Sequence, residues 1–178
     1  LGRQVTKQRK DLGDVAFLNQ CYDLRQMMVT DSEIRVGAAV TVTEFMYGVE
    51  PFFAGLARML SRYGSTQVRN AATMGGNIAN ASPIGDTPPV LLTLDARLRL
   101  AGPEGVRELP LSSFFLDYKK TALEPGECVT AVHLPKPPPG FEQRVWKLSK
   151  RREDDISTLL GAFRWRREDG VLTDVRVA

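Results

Sequence analysis

Hydrophobic and polar positions alternate over several short segments of the chain, which is typical of half-exposed β-strands. Between Ala96 and Ala101, two leucines alternate with two arginines. Met28–Thr30 and Glu33–Val40 flank the turn-forming pair Asp31-Ser32, and so predict a β-hairpin. Glu127–Leu134 predicts a further strand.

Two stretches of the first half predict helices. Thr41 and Glu44 have the spacing of a capping box, so a helix is expected to begin there. Pro51 is predicted to open a second helix, at the position where a missing N–H is tolerated. The apolar residues that follow recur every three or four positions and are expected in the core. They are Phe52, Phe53, Leu56, Met59, Leu60 and Tyr63.

Pro135–Gly140 is the clearest candidate for a linker between domains. Consecutive prolines are stiff and extended, and they cannot join the interior of a sheet. Beyond this linker, Arg144–Leu148, Ile156–Arg166 and Val171–Val177 are predicted strands. In the first part of the chain, the apolar run Ala16–Leu18 is predicted to be a short buried strand.

Composition excludes several classes of function. The 178 residues include 24 Lys and Arg against 21 Asp and Glu, and this small, scattered excess gives no reason to invoke nucleic acid or an anionic membrane. Cys21 and Cys128 lie too far apart to hold zinc or an iron–sulfur cluster by themselves. Two free thiols fit a reducing compartment, so a cytoplasmic location is predicted.

No signal-peptide pattern and no apolar run near the roughly 20 residues of a membrane span is present in the sequence. The chain begins without Met and stops within a strand-like run. We therefore expect it to be a fragment of a longer polypeptide.

The best candidate for binding chemistry is the stretch from Asn70 to Asp86, which has one charged residue, at its end. Gly75 and Gly76 can adopt positive φ, so that consecutive N–H groups converge on an anion. Asp86 or Thr87 can cap a following helix, and the stretch predicts a strand end, a loop and a helix start. A tight turn without a ligand is the alternative, since the pattern is not the dinucleotide motif G-x-G-x-x-G.

Residues 72–86, A-T-M-G-G-N-I-A-N-A-S-P-I-G-D, resemble the second flavin-binding motif of the molybdenum hydroxylase FAD domain. The S-P-I-G-D ending and the run K-R-R-E-D-D-I-S at 150–157 resemble the xanthine dehydrogenase branch. This resemblance implies an α+β fold. Residues 1–135 would be the later part of a vanillyl-alcohol-oxidase-type (PCMH-type) FAD-binding domain, and 141–178 the start of a CO-dehydrogenase-flavoprotein-type C-terminal domain.

The resemblance also implies which residues contact FAD. For Tyr63 a surface tyrosine is the alternative, for Val129 plain core, and for the charged run 150–155 a solvated loop. The glycine-rich loop that supplies the other half of the family's pyrophosphate site would precede Leu1, so the site of this fragment is expected to be incomplete. The implied contacts are Leu1, Tyr63, Ala72, Thr73, Gly75, Gly76, Asn77, Asn80, Ser82, Asp86, Val129, Lys147 and Asp154.

By the same resemblance, the parent enzyme hydroxylates a purine at a molybdopterin centre and passes electrons through [2Fe–2S] clusters and FAD to NAD⁺. The iron–sulfur and molybdopterin parts would lie outside this segment, and the fragment alone would be inactive. No residue is assigned as a general acid or base, and the single His133 is interpreted as structural. Alternatives are an aldehyde oxidoreductase, the medium chain of a CO dehydrogenase, or a scaffold that binds no flavin.

Overall fold

The structure, a computed structural model, describes residues 8–9 and 11–178. Leu1, predicted to contact FAD, lies outside the described residues. The helices are α1 (Val42–Val49), α2 (Ala54–Leu60), α3 (Thr66–Ala71), α4 (Met74–Ala79) and α5 (Thr87–Thr93). The strands are β1 (Met27–Val29), β2 (Glu33–Gly37), β3 (Arg97–Gly102), β4 (Gly105–Pro110), β5 (Phe115–Asp117), β6 (Lys120–Thr121), β7 (Cys128–Pro135), β8 (Phe141–Leu148), β9 (Leu159–Glu168) and β10 (Val171–Val177).

A five-stranded antiparallel sheet, in the order β1-β2-β7-β3-β4, forms the centre of the fold. Met27 of β1 lies opposite Val36 of β2, which confirms the predicted hairpin. Leu98 and Leu100 of β3 are completely buried, as their alternation with arginines predicts. The prediction of a strand at Glu127–Leu134 is also confirmed, since β7 occupies the sheet centre.

Helix α1 begins at a local capping motif, whereas α2 begins without a side-chain cap. Thr41 Oγ1 accepts a hydrogen bond from Glu44 N at 3.2 Å, and Glu44 Oε2 accepts one from Thr41 N at 2.8 Å, so the predicted capping box is confirmed. The prediction that Pro51 opens the next helix is wrong. Phe53 is the N-cap residue of α2, and its buried ring packs edge-on against Phe141 at a centroid distance of 5.8 Å.

The second sheet, in the order β10-β9-β8, packs against α2 and α5. Its residue Ala162 is completely buried in the same hydrophobic core as the central sheet. Gln143 Oε1 accepts a hydrogen bond from Leu56 N at 3.2 Å, and Arg164 Nη1 lies 2.7 Å from Asp95 Oδ2. These contacts hold the second sheet on the helices that flank the candidate site.

Among the residues that the structure describes, no helix is long and apolar enough to cross a membrane.

Candidate functional site

A cleft of about 480 Å³ opens beside the start of α4 and the start of β7. Its volume falls within the range of about 300–1,000 Å³ that is usual for ligand pockets. The lining includes four of the residues predicted to contact FAD, namely Thr73, Gly75, Gly76 and Val129. The structure therefore brings together the glycine motif and the strand that the resemblance assigned to flavin binding.

Gly75 allows α4 to approach the segment that follows β2. Its N–H donates a hydrogen bond to Ala38 O at 2.9 Å. A Cβ atom at position 75 would lie 2.5 Å from the Cβ of Ala38, a distance that packed side chains do not reach. Gly75 thus shapes the cleft through close packing of backbone on backbone.

Gly76 borders the open side of the cleft and is exposed. Its N–H donates to Thr73 Oγ1 at 3.2 Å, while Gly75 N–H and Asn77 N–H are bonded to backbone carbonyls. Neither glycine has positive φ. The prediction of a loop whose N–H groups converge on an anion is therefore wrong, because Thr73 caps this stretch as the helix α4.

Half-buried Tyr63 and Asn77 and fully buried Thr87 form a hydrogen-bonded group outside the cleft lining. Asn77 Nδ2 donates to Tyr63 Oη at 2.7 Å, and Thr87 Oγ1 donates to Asn77 Oδ1. Burial raises the pKa of the Tyr63 phenol, the hydrogen bond from Asn77 opposes this shift, and the negative charge of Asp86 adds to it. The two predicted flavin contacts Tyr63 and Asn77 thus lie in direct contact.

Asp86 and Lys147, both predicted to contact FAD, form a buried ion pair. Lys147 Nζ donates to Asp86 Oδ2 and, at 3.1 Å, to the carbonyl oxygen of Asp155. Ser157 Oγ donates to Asp86 Oδ1 at 2.5 Å. Asp86 stands at the N-cap position of α5, but its side chain makes no capping hydrogen bond, because both carboxylate oxygens bind these distant partners. The prediction of a side-chain cap there is wrong.

The charged loop, residues 150–155, has no regular structure and lies against the connection between α2 and α3. Arg62 Nε donates to the carbonyl oxygen of Arg152 at 3.3 Å. Arg69 Nη1 lies 3.9 Å from Glu153 Oε2. The loop therefore sits next to the segment that carries Tyr63.

The remaining predicted contacts are more dispersed. Asp154 is exposed on the charged loop with φ of 50°. Ala72 is half-buried between α3 and α4, and Asn80 is exposed at the end of α4. Ser82 lines a separate pocket of about 220 Å³. The structure does not bring these four residues into the cleft.

Sequence reasoning missed two contributors to the cleft. Phe17 lines it with 73% of its surface exposed, so the predicted buried strand at Ala16–Leu18 is wrong. Glu127 also lines the cleft, and its carboxylate is bound by Arg107 of β4. Phe17 gave a misleading signal, because an apolar residue was assigned to the core. The Arg107–Glu127 pair gave no signal, because its partners are far apart in the sequence.

His133 lies on β7, the central strand of the five-stranded sheet, and does not line the cleft. Its Nδ1 is 2.9 Å from Glu33 Oε1, so the fold supplies a carboxylate neighbour that the sequence did not show. Within the described part of the chain, no group of His, Cys, Asp and Glu residues is arranged to hold a metal ion.

The residues at the cleft fit part of an FAD molecule. An ideal Cβ at Gly76 would meet only Thr73 Oγ1, at 2.9 Å, so the bare backbone and a hydroxyl group face the open space. Such groups suit a diphosphate, which needs close donors and no intervening side chain. Val129 and Phe17 add apolar surface of the kind that contacts aromatic rings.

The sheet, the flanking helices and the glycine-lined cleft define an α+β cofactor-binding domain. The family model described as the FAD binding domain in molybdopterin dehydrogenase matches residues 1–137. The chain belongs to this family, which confirms the resemblance, the fold class and FAD as the family's cofactor.

Similar proteins include several xanthine dehydrogenases. The enzyme of Dictyostelium discoideum is 35% identical over 155 residues, covering 75% of this chain and 11% of that protein. The xanthine dehydrogenase FAD-binding subunit of Escherichia coli O157:H7 is 31% identical over 154 residues, covering 85% of this chain and 53% of the subunit.

Among solved structures, a carbon monoxide dehydrogenase of Hydrogenophaga pseudoflava superposes with a TM-score of 0.83 at 28% identity, covering 88% of this chain and 55% of that chain. The chain thus spans about half, or less, of the length of these relatives.

Proposed function

We propose that the chain is the FAD-binding part of a xanthine dehydrogenase-like molybdenum hydroxylase, in which bound FAD takes electrons from [2Fe–2S] clusters and passes them to NAD⁺ during purine hydroxylation. The ion pair between Asp86 and Lys147 carries this proposal. It joins the S-P-I-G-D motif to the strand that leads into K-R-R-E-D-D. Two motifs far apart in the sequence therefore meet at one place.

The cleft is proposed to bind the diphosphate of FAD. Thr73 and Gly76 offer a hydroxyl group and an unshielded backbone at its edge, and the apolar side chain of Val129 lies in the same lining. Thr73 Oγ1 accepts from Gly76 N at 3.2 Å, and its own hydroxyl proton can rotate towards an acceptor such as a phosphate oxygen.

The residues around Tyr63 and Asp86 are proposed to position the flavin ring. Tyr63 and Asn77 are fixed by their mutual hydrogen bond, and Lys147 is fixed by Asp86. A charge held rigidly near a flavin changes the stability of its reduced form without reorganisation during the reaction. Asp154, on the exposed loop, would add a weaker and more screened charge.

Further predicted contacts are proposed on the basis of resemblance alone. They are Leu1, Ala72, Asn80 and Ser82.

The electron donors are proposed to lie outside these 178 residues. A [2Fe–2S] cluster needs four protein ligands, usually cysteines, and the chain has two cysteines. The iron–sulfur and molybdopterin parts would therefore be other domains or subunits, and these residues alone would not hydroxylate a substrate. Two unpaired thiols, Cys21 and Cys128, are compatible with a cytoplasmic location.

A domain boundary is proposed within Pro135–Gly140. The family match ends at residue 137, and the second sheet forms entirely beyond the prolines. The shared core around Ala162 means that the two parts would be firmly packed rather than loosely linked.

A second candidate is the medium chain of a carbon monoxide dehydrogenase, which the structural similarity favours. The two candidates share the FAD site and differ in the substrate of the molybdenum centre. S-P-I-G-D and R-R-E-D-D favour the xanthine dehydrogenase candidate.

The test is purification of the intact protein, extraction of its flavin, and assay with hypoxanthine, xanthine, an aldehyde and carbon monoxide. We expect FAD and purine-dependent reduction of NAD⁺. Activity with carbon monoxide or the aldehyde alone would favour another molybdenum hydroxylase. A folded protein that neither retains nor rebinds FAD would contradict the proposal and favour a scaffold.

A further inference from the structure

Arg107 and Glu127 form an ion pair beside the cleft, outside both flavin motifs. Arg107 Nε and Nη2 lie 2.7 Å from Glu127 Oε1 and Oε2. Arg107 Nη2 also donates to Ala122 O at 2.7 Å, and Glu127 Oε2 accepts from Glu124 N at 2.8 Å. One guanidinium group therefore ties together both ends of the segment 122–127.

This segment forms part of the cleft lining through Leu123 and Glu127, and β7 continues the lining with Cys128 and Val129. Residues 122–127 lead directly into β7, so a displacement of this segment would also move Val129. The position of this part of the cleft lining therefore depends on the hydrogen bonds that Arg107 makes to the segment.

The turn between β3 and β4 packs against Glu127 and Gly126. A Cβ at Gly102 would lie 2.7 Å from Glu127 Cγ, so the carboxylate side chain crosses the hairpin where only glycine leaves room. Gly126, with φ of 82°, turns the chain against Pro103. Such close packing fixes the position of Glu127 relative to Arg107.

A carboxylate in the lining of this cleft presents an electrostatic problem for the proposed ligand. The diphosphate of FAD is anionic, and an uncompensated negative charge nearby would repel it. Glu127 is ionised at neutral pH, since hydrogen bonding to Arg107 lowers its pKa to about 2. Arg107 supplies the positive charge that cancels this repulsion.

We propose that Arg107 is a positioning residue of the flavin cleft: it holds the wall formed by residues 122–127 and neutralises Glu127, so that the cleft admits the anionic diphosphate of FAD. The inference rests on the proposed function and goes beyond it, because it assigns a role in FAD binding to a residue of β4.

The test measures FAD affinity of the intact protein after removal of its flavin, by titration with FAD and quenching of flavin fluorescence. Arg107→Gln should raise the Kd about tenfold at low salt, equivalent to about 1.4 kcal/mol. This increase should shrink at about 1 M salt, where the Debye length falls to about 3 Å. The double variant Arg107→Gln/Glu127→Gln should recover most of the affinity, because the repelling charge is gone.

Arg97→Gln is the matched control, since Arg97 lies on the neighbouring strand and pairs with Glu33 and Glu108 away from the cleft lining. It should leave the Kd unchanged. The inference is overturned if Arg107→Gln binds FAD like the wild type. A double variant that binds as weakly as the single one would overturn the neutralisation of Glu127 and leave only the holding of residues 122–127. Wild-type protein that does not rebind FAD would instead remove the proposed function, and this inference with it.

Discussion

Lys147 and Asp86 are 61 residues apart in the sequence, yet the Lys147 ammonium donates to the Asp86 carboxylate with both side chains almost fully excluded from solvent. A buried charge is tolerated only with a partner and further hydrogen bonds. Both conditions are met, because Ser157 and the carbonyl oxygen of Asp155 complete the group. The pair thereby fixes the start of α5 against β8.

Replacing Lys147 by Met should destabilise the protein strongly. The change would leave the Asp86 carboxylate buried without a counter-charge, which typically costs about 3–5 kcal/mol. The free energy of unfolding, measured with urea, checks this value. Lys150→Met is the control: Lys150 is exposed, and its loss should change stability by no more than about 0.5 kcal/mol. Equal effects of the two substitutions would contradict the role of the ion pair.

The two glycines of the motif should respond differently to alanine. Gly75→Ala would force a methyl group against Ala38 and should cost about 1–3 kcal/mol of stability. Gly76→Ala should gain about 1 kcal/mol of stability from helix propensity. It should lose about 1 kcal/mol by disturbing the Thr73 cap, so the net free energy of unfolding should hardly change. Its FAD affinity should nevertheless fall about tenfold, since the methyl group enters the cleft. Thermal unfolding and FAD titration separate the two effects, and a Gly76→Ala protein that binds FAD normally would remove Gly76 from the site.

The local signals in the sequence were sufficient for much of the fold. The capping box at Thr41 and Glu44, the hairpin across Asp31-Ser32 and the alternation of β3 each depend on neighbours within a few residues. Local reasoning failed where a distant contact decided the outcome. Phe53 precedes α2 as its N-cap residue, because its ring packs on Phe141, which lies 88 residues further along the chain.

The sequence motif pointed to some of the residues that line the candidate cleft, but not to their geometry. The motif located Thr73, Gly75 and Gly76, but the expected loop is a helix whose first N–H groups already have acceptors. The partners Asp86 and Lys147 were both identified, although nothing in the sequence showed that they bind each other. Tertiary pairing of side chains has no local sequence signal, and so it could not be inferred.

The Tyr63 phenol should titrate above the ordinary tyrosine value of about 10. Burial is the main cause, with a smaller contribution from the negative charge of Asp86. Asp86→Asn should therefore lower the Tyr63 pKa towards 10 without restoring it fully. The ultraviolet difference between the protein and its Tyr63→Phe variant reports this titration. A pKa that does not respond to Asp86→Asn would show that the two groups are not electrostatically coupled.

Glu127 should make a contribution to stability that depends on pH. Its pKa is lowered from 4.5 to about 2 in the folded protein, chiefly by the hydrogen bonds from Arg107. A carboxyl group with a lowered folded pKa stabilises the protein above its unfolded pKa, and this stability is lost as the pH falls through the folded pKa. The wild type should thus exceed Glu127→Gln by a constant margin above about pH 5, and the margin should shrink towards pH 2. Urea unfolding at several pH values measures it, and a margin independent of pH would contradict the ion pair.

Asp154 offers a test of whether the charged loop lies near the flavin. If its carboxylate is about 10 Å from the ring, removing the charge should favour the reduced, anionic flavin by at most about 1.7 kcal/mol, or about 35 mV for two electrons, at low salt. Screening at physiological salt should reduce the shift to about 10 mV. Asp154→Asn keeps the side-chain size, and asparagine tolerates the positive φ of 50° at this position.

The midpoint potential of the bound flavin should therefore rise in Asp154→Asn, and reduction of NAD⁺ should slow because the reduced flavin holds its electrons more tightly. Purine oxidation with an artificial acceptor that bypasses the flavin should be unaffected. Asp169→Asn is a matched control, since Asp169 also has positive φ, at 48°, and follows the far end of β9, about 30 Å along that strand from the charged loop. Equal potentials in the wild type and Asp154→Asn at low salt would place the loop away from the flavin and leave its charges without a role in electron transfer.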